Sequence, residues 1–226
     1  MTTTMTTSGT HSAVLERIAS MRIVPMIVID DPDDAVPLAR ALSDGGLPCV
    51  EVTFRTPRAV EALRRIAGEL PDVLVGAGTV LTPAQVAEAR AAGARFVVAP
   101  GFNAGVVEFC QSVELPVFPG VCTPTEIEMA LGAGLSVLKF FPAEPIGGLP
   151  FLKAVAAPYT TVSFIPTGGI GPSNLASYLA FPRVVACGGS WLAPNDWIAA
   201  RQFDRIRDTA RAAVAIANDV TAGGHP

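Results

Sequence analysis

Lysine is scarce in this chain, with two residues in 226, and one of them, Lys139, sits in the apolar run Ser136-Val137-Leu138-Lys139-Phe140-Phe141-Pro142. An amine in that setting suits imine formation with the carbonyl of a small 2-oxo acid. The reaction needs a neutral amine, whereas an ordinary lysine titrates at about 10.4, and desolvation among apolar strands favours the neutral form. A plainer reading has the side chain snorkel from a strand end to solvent. The segment Glu51-Val52-Thr53-Phe54-Arg55 weighs against that reading. The two-residue period of a strand puts Glu51, Thr53 and Arg55 on one face and Val52 and Phe54 on the other. Glu51 can then carry protons through carbinolamine, imine and enamine steps, while the Arg55 guanidinium offers a two-pronged donor to a substrate carboxylate. The structural alternative is an ion pair that braces the interior.

Three further segments add polar groups near strand ends. Gly76-Ala77-Gly78-Thr79 combines small residues, which let a ligand approach the backbone, with a hydroxyl suited to a carboxylate or carbonyl oxygen; Thr79 can equally brace a loop. Thr167-Gly168-Gly169-Ile170 and Gly188-Gly189-Ser190-Trp191 each place a glycine pair after a late strand. In barrels, the loops after strands 7 and 8 commonly bind phosphate through accessible backbone N–H groups, and Ser190 can add a hydroxyl donor. Tight turns are the alternative use of such pairs.

Other chemistries find less support. The two histidines, His11 and His225, fall in polar terminal stretches, away from any folded site, which disfavours Ser-His-Asp and zinc mechanisms. Cys49, Cys110, Cys122 and Cys187 show no CxxC or metal-ligand spacing, and three lie in apolar surroundings, as buried thiols in a reducing compartment do. A net charge of −4 without Lys or Arg runs gives no footprint for nucleic acid or anionic membrane. Mean hydropathy is +0.44, but Gly, Pro or charge interrupts every apolar stretch before the roughly 20 residues of a spanning helix. The Thr- and Ser-rich start has no apolar core of a secretory signal. The expectation is a cytoplasmic protein with a small-molecule partner.

The elements that must position these groups are legible as punctuation. Short β-branched or apolar runs at 23–29, 50–54, 74–77, 96–99, 117–119, 137–140, 163–166 and 184–187 predict eight strands. Between them lie segments of helical period, such as 84–92 and 125–131, and this alternation implies parallel strands with right-handed crossovers. Asp31-Pro32, Thr56-Pro57, Thr82-Pro83 and Thr123-Pro124 each set a capping oxygen before a proline suited to a first helical turn. Gly45-Gly46, Gly93 and Gly134 mark helix ends. The fold class expected is α/β, a parallel eight-stranded (β/α)₈ TIM barrel over residues 17–220, with a disordered tail at 1–16 and a second tail at 221–226. An open doubly wound sheet would show the same alternation, but no GxGxxG follows the first strand.

Taken in order, Glu51-Val52-Thr53-Phe54-Arg55-Thr56, Gly76-Ala77-Gly78-Thr79-Val80-Leu81, Lys139-Phe140-Phe141-Pro142-Ala143-Glu144, Pro166-Thr167-Gly168-Gly169-Ile170 and Gly188-Gly189-Ser190-Trp191-Leu192 resemble the 2-keto-3-deoxy-6-phosphogluconate (KDPG) and 4-hydroxy-2-oxoglutarate (KHG) aldolase family. The resemblance runs from about Arg22 to the C-terminal helix. It implies a class I aldolase with Lys139 as Schiff-base lysine and Glu51 as general acid and base. It also implies Arg55 and Thr79 on the pyruvyl carboxylate, Pro100 and Phe141 as pocket walls, Gly168, Gly169 and Ser190 as the phosphate contacts, and Thr167 and Gly189 as further members of the substrate-binding set. The reaction implied is reversible cleavage of KDPG to pyruvate and glyceraldehyde 3-phosphate by a homotrimer with no metal or organic cofactor. Phe54, Val121-Cys122-Thr123-Pro124 and Phe102-Asn103 depart from the usual pattern, so KHG and the galactonate isomer of KDPG remain alternative substrates. A non-covalent phosphate-binding barrel isomerase, or a sensor of a phosphorylated sugar acid, would use the same glycine loops without an interior lysine nucleophile.

Overall fold

The first apolar run becomes β1 (Ile23–Ile27), buried at every residue as a strand covered on both faces must be. The structure is a computed structural model that describes residues 9–222. Before β1 comes α1 (Gly9–Met21), and after it a 3-10 turn (Pro32–Asp34) leads into α2 (Ala35–Asp44). The chain then alternates through β2 (Cys49–Thr53), α3 (Ala59–Glu69), β3 (Leu74–Gly78), α4 (Pro83–Ala91), β4 (Val97–Val98), α5 (Ala104–Ser112), β5 (Val117–Phe118) and β6 (Gly120–Val121). It continues through α6 (Pro124–Gly132), β7 (Val137–Phe140), a 3-10 turn (Glu144–Ile146), α7 (Gly148–Ala156), β8 (Ser163–Pro166), α8 (Leu175–Leu179), β9 (Cys187–Gly189), α9 (Asn195–Ala199) and α10 (Phe203–Ala222). No described helix is long and apolar enough to cross a membrane.

All strand pairing is parallel. One ladder runs β5-β4-β3-β2-β1-β9 and the other β6-β7-β8. The ring of eight strands expected from the sequence is therefore observed as a curled six-stranded sheet and a three-stranded sheet. The reasons are local. Proline has no N–H to give to a ladder, and Pro119 alone separates β5 from β6. The eighth strand is expected at 184–187, but the regular strand is glycine-rich and shifted to Cys187–Gly189, where it pairs with β1. Toward β8 only the single bridges Phe164–Val184 and Thr167–Gly188 form. What is plain is an α/β fold on parallel strands.

Two apolar layers follow from strand alternation. Val50 and Val52 of β2 pack outward with Leu63 and Ile66 of α3, whereas Cys49 packs inward with Val24, Leu74, Phe96, Val98 and Phe118. Val14 and Ile18 of α1 belong to the inner layer. That corrects the tail expected at 1–16: from Gly9 onward it is a helix whose apolar side closes one end of the strands, and the remainder, like His225, lies outside the described residues. His11, expected in a tail, is half-buried on α1 with its ring 6.2 Å from that of Phe118, and burial pushes its pKa down. The C-terminal helix also continues two residues into the stretch expected as tail. Cys49, Cys110 and Cys187 are buried free thiols.

Caps behave as expected at three of the four Pro junctions. Thr82 accepts from Gln85 N–H at the start of α4, and Thr123 forms a reciprocal capping box with Glu126 at α6. Asp31 caps the 3-10 turn that precedes α2. Thr56 does not cap α3, which starts three residues later; its hydroxyl donates instead to the Ile29 carbonyl at 2.6 Å, tying the turn after β2 to the segment after β1. Gly46, Gly93 and Gly134 hold φ of 95°, 99° and 78°, the left-handed geometry that ends a helix cheaply in glycine.

Candidate active site

Lys139 lies on β7 between Gly120 of β6 and Ile165 of β8, and Glu51 lies on β2 between Met26 of β1 and Gly76 of β3. From the two different sheets their side chains meet in the interior, Nζ 3.8 Å from Oε1, both nearly out of solvent. That separation is too long for a hydrogen bond, and Glu51 Oε1 has no hydrogen-bond partner. A buried carboxylate oxygen left in that condition is expensive unless another group engages it. Burial holds the Glu51 pKa above the ordinary carboxylate range, against the opposing pull of Lys139 and Arg55. The Lys139 amine also lies 5.2 Å from the centre of the Phe141 ring. On the α1 side, Ile18, Phe96 and Phe118 close the interior beneath the pair, leaving a cavity of about 10 Å³, room for one water at most.

Glycines make this approach possible. A Cβ at Gly78 would collide with the Glu51 carboxylate, one at Gly76 with the Phe96 ring, and one at Gly120 with the Pro100 carbonyl. The sequence had assigned the small residues at 76–78 to ligand approach; the structure assigns their space to Phe96 and Glu51 instead. Gly120 was missed. Its signal was a glycine inside the apolar run 117–121, which marks a close backbone approach in a strand.

Arg55 was expected on the strand face beside Glu51. The strand ends at Thr53, so Arg55 sits in an exposed turn just beyond it. There its Nε donates to Thr79 Oγ1 at 3.3 Å, which brings the two expected carboxylate contacts together. Thr53 is buried, and its hydroxyl donates to the Ile27 carbonyl at 2.9 Å, a brace between strands. Thr79 holds φ +57°, left-handed backbone that a β-branched residue rarely adopts, at about 1–3 kcal/mol of strain. Its hydroxyl is the only evident return. Thr79→Gly is therefore expected to leave stability within about 1 kcal/mol, because relieved strain offsets the added freedom of glycine when unfolded. If the pair holds a carboxylate, as the sequence resemblance implies, pyruvate capture should nonetheless weaken about tenfold. Thermal melts and reductive trapping over a pyruvate series check both; a large loss of stability with unchanged capture would contradict the assignment.

The two glycine loops are brought side by side by the Thr167–Gly188 bridge. Gly188 has no room for a Cβ because the Thr167 hydroxyl fills it, and Gly189 packs on the Trp191 indole in the same way. Thr167 is buried and lines the interior with Lys139 and Glu51, while Gly169 and Ser190 are exposed at the mouth. Gly168 and Gly169 hold φ of 99° and 79°. Among the described residues no group of three His, Cys, Asp or Glu side chains is placed to hold a metal ion. The assembly joins a buried amine and carboxylate, a guanidinium-hydroxyl pair on one side and two glycine loops on the other. Those parts suit covalent capture of a carbonyl compound with anionic groups at its two ends.

Comparison with known proteins agrees with that chemistry. The profile of the KDPG and KHG aldolase family matches residues 14–209. A 2-dehydro-3-deoxy-phosphogluconate aldolase from Treponema pallidum is 53% identical over 193 residues, covering 85% of this chain and 92% of its relative. A KHG/KDPG aldolase from Escherichia coli K12 is 46% identical over 192 residues, covering 85% and 90%. Among solved structures, the KDPG aldolase from Legionella pneumophila, with pyruvate captured as a covalent carbinolamine intermediate, superposes with a TM-score of 0.86 at 42% identity, covering 88% of this chain and 97% of that one.

Proposed function

Because the chain belongs to the KDPG and KHG aldolase family, we propose that its buried Lys139–Glu51 pair performs the Schiff-base cleavage of 2-keto-3-deoxy-6-phosphogluconate to pyruvate and glyceraldehyde 3-phosphate. The observation that carries this reading is the unpartnered Glu51 Oε1, 3.8 Å from the only interior amine among the described residues. The neutral amine attacks C2 of the keto acid, and protonated Glu51 gives its proton to the carbinolamine hydroxyl, which leaves as water to form a protonated imine on Lys139 and a Glu51 carboxylate. The C4 hydroxyl then gives its proton to Glu51, the C3–C4 bond breaks, and its electron pair flows through C3 toward the imine nitrogen as the aldehyde leaves. Glu51 returns the proton to C3, and water hydrolyses the imine to release pyruvate.

Arg55 and Thr79, bonded to each other at 3.3 Å, hold the pyruvyl carboxylate in this reading. Pro100 and Phe141 wall the reacting carbons, Gly168, Gly169 and Ser190 receive the phosphate, and Thr167 and Gly189 complete the substrate-binding set. The same amine and carboxylate act on 4-hydroxy-2-oxoglutarate, which lacks the phosphate. No metal or organic cofactor is needed for these steps. We read the two ladders, joined across Pro119 and through the β8 bridges, as one closed eight-stranded (β/α)₈ barrel. The resemblance supports a cytoplasmic homotrimer, and Leu81 and Met129, exposed at 51% and 49%, are apolar surface available to a subunit contact.

Turnover measured side by side on KDPG, its galactonate isomer and 4-hydroxy-2-oxoglutarate tests the substrate. KDPG is expected to give the highest kcat/KM, with the advantage over 4-hydroxy-2-oxoglutarate residing mainly in KM because the phosphate contacts lie away from the reacting carbons. A preference for the galactonate isomer would overturn the gluconate assignment.

A further inference from the structure

The turn after the Lys139 strand is tied to the glycine loop of the next strand. Ala143 N–H donates to the Thr167 carbonyl at 2.8 Å, and Glu144 N–H to the Gly168 carbonyl at 3.0 Å. The Glu144 stem lies so close to Gly169 that a Cβ there would come within 2.5 Å of Glu144 Cβ and 2.7 Å of its Cγ. Although Glu144 is an exposed residue, its carboxylate is anchored: Oε1 accepts from the Tyr178 hydroxyl at 2.5 Å. Tyr178 is 1% exposed and fixed in the core from α8. Gly148 crowds the same carboxylate, with a Cβ position 2.9 Å from Oε1. On the far side, Asn174 Oδ1 accepts from Gly171 N–H at 2.8 Å and its Nδ2 donates to the Gly169 carbonyl at 3.1 Å.

A glycine pair has no side chains to hold its own orientation. Backbone N–H groups that receive a phosphate must nevertheless converge on one point. Here the loop is held from outside itself, by the Ala143 and Glu144 backbone bonds, by Asn174, and by the Glu144 stem, which a short charge-assisted phenol–carboxylate bond anchors to the core.

We propose that Glu144 and Tyr178 are positioning residues that hold the Gly168–Gly169 backbone in phosphate-receiving geometry, and so set the preference for phosphorylated over unphosphorylated 2-keto acids. The inference rests on the phosphate-loop reading given under Proposed function. In this proposal both act through the glycines.

The test measures kcat and KM on KDPG and on 4-hydroxy-2-oxoglutarate, together with inhibition by inorganic phosphate, for the full chain and for Tyr178→Phe, Glu144→Ala and Glu144→Gln. Tyr178→Phe and Glu144→Ala should raise KM for KDPG and the inhibition constant for phosphate about tenfold, a loop displaced by a fraction of an ångström being enough. Constants for 4-hydroxy-2-oxoglutarate should stay within about twofold. Glu144→Gln, whose amide oxygen still accepts from Tyr178, should recover most of the loss. Equal losses on both substrates, or unchanged KDPG constants in Glu144→Ala, would overturn the proposal. Should Tyr178→Phe fail to fold, Glu144→Ala and Glu144→Gln at their exposed position carry the same comparison. Failure of the underlying reading looks different: the unmodified protein would then show no competition between phosphate and KDPG.

Discussion

Lys139→Met is expected to abolish aldol cleavage, a loss on the order of 10⁴-fold or more, because among the described residues no other interior amine can form the proposed imine. The methionine fits the apolar surroundings of β7, so the loss should come without unfolding at low pH. A pH dependence follows from Glu51. Burial already holds its folded pKa above the ordinary value, and Lys139 is the first of the groups pulling it down. Removing the amine raises the folded pKa further. The folded variant then tolerates the protonated acid, so its stability is fullest below the unfolded pKa of about 4.3 and declines as pH rises through and beyond it. Melts of the variant between pH 4 and 8 should therefore show a steeper fall than those of the unmodified protein. Retained cleavage in Lys139→Met would instead favour a non-covalent phosphate-binding barrel.

Glu51→Gln is expected to lower kcat for KDPG by about 10²- to 10⁴-fold, the usual contribution of a positioned general acid and base. Imine formation with pyruvate should survive more slowly, because the amide removes the proton shuttle but keeps Lys139. The unmodified enzyme carries a second signature. In the proposed mechanism cleavage needs the Glu51 carboxylate, and its raised pKa means the proton is held to higher pH than in an ordinary glutamate. Activity should thus be full above that pKa and fall as pH drops through it, with the acid limb above the normal carboxylate range. Steady-state rates across pH check this, and the limb should vanish in Glu51→Gln. A wild-type limb at or below the ordinary value would argue against Glu51 as the base.

Much of the candidate site is legible in the sequence. A lone interior lysine, the alternation around Glu51 and the glycine pairs at Gly168 and Gly188 depend on residue type and strand period, both local properties. What the sequence hid is set by contacts between distant segments. That Gly78 makes room for Glu51, and Gly120 for Pro100, depends on strand packing that no local pattern encodes. Arg55 was misplaced onto the strand because period-two reasoning does not say where pairing stops; β2 pairs with β3 through Thr53–Gly78, and the turn begins there. The helix at Gly9–Met21 was lost to its Thr- and Ser-rich beginning, although Val14 and Ile18, four residues apart, already marked an apolar face. The Thr79 backbone strain had no signature at all, since left-handed geometry at threonine goes against its preference.

The most direct measurement is reduction with borohydride in the presence of pyruvate, followed by peptide mass spectrometry. The chain is its own control, because Lys153, the one other lysine, is exposed with its amine 5.8 Å from the Phe181 ring. The expected result is a reduced pyruvyl adduct on Lys139 and none on Lys153, with activity lost in proportion to labelling. An unlabelled Lys139 under conditions of full turnover, or label shared equally between the two lysines, would contradict the imine mechanism.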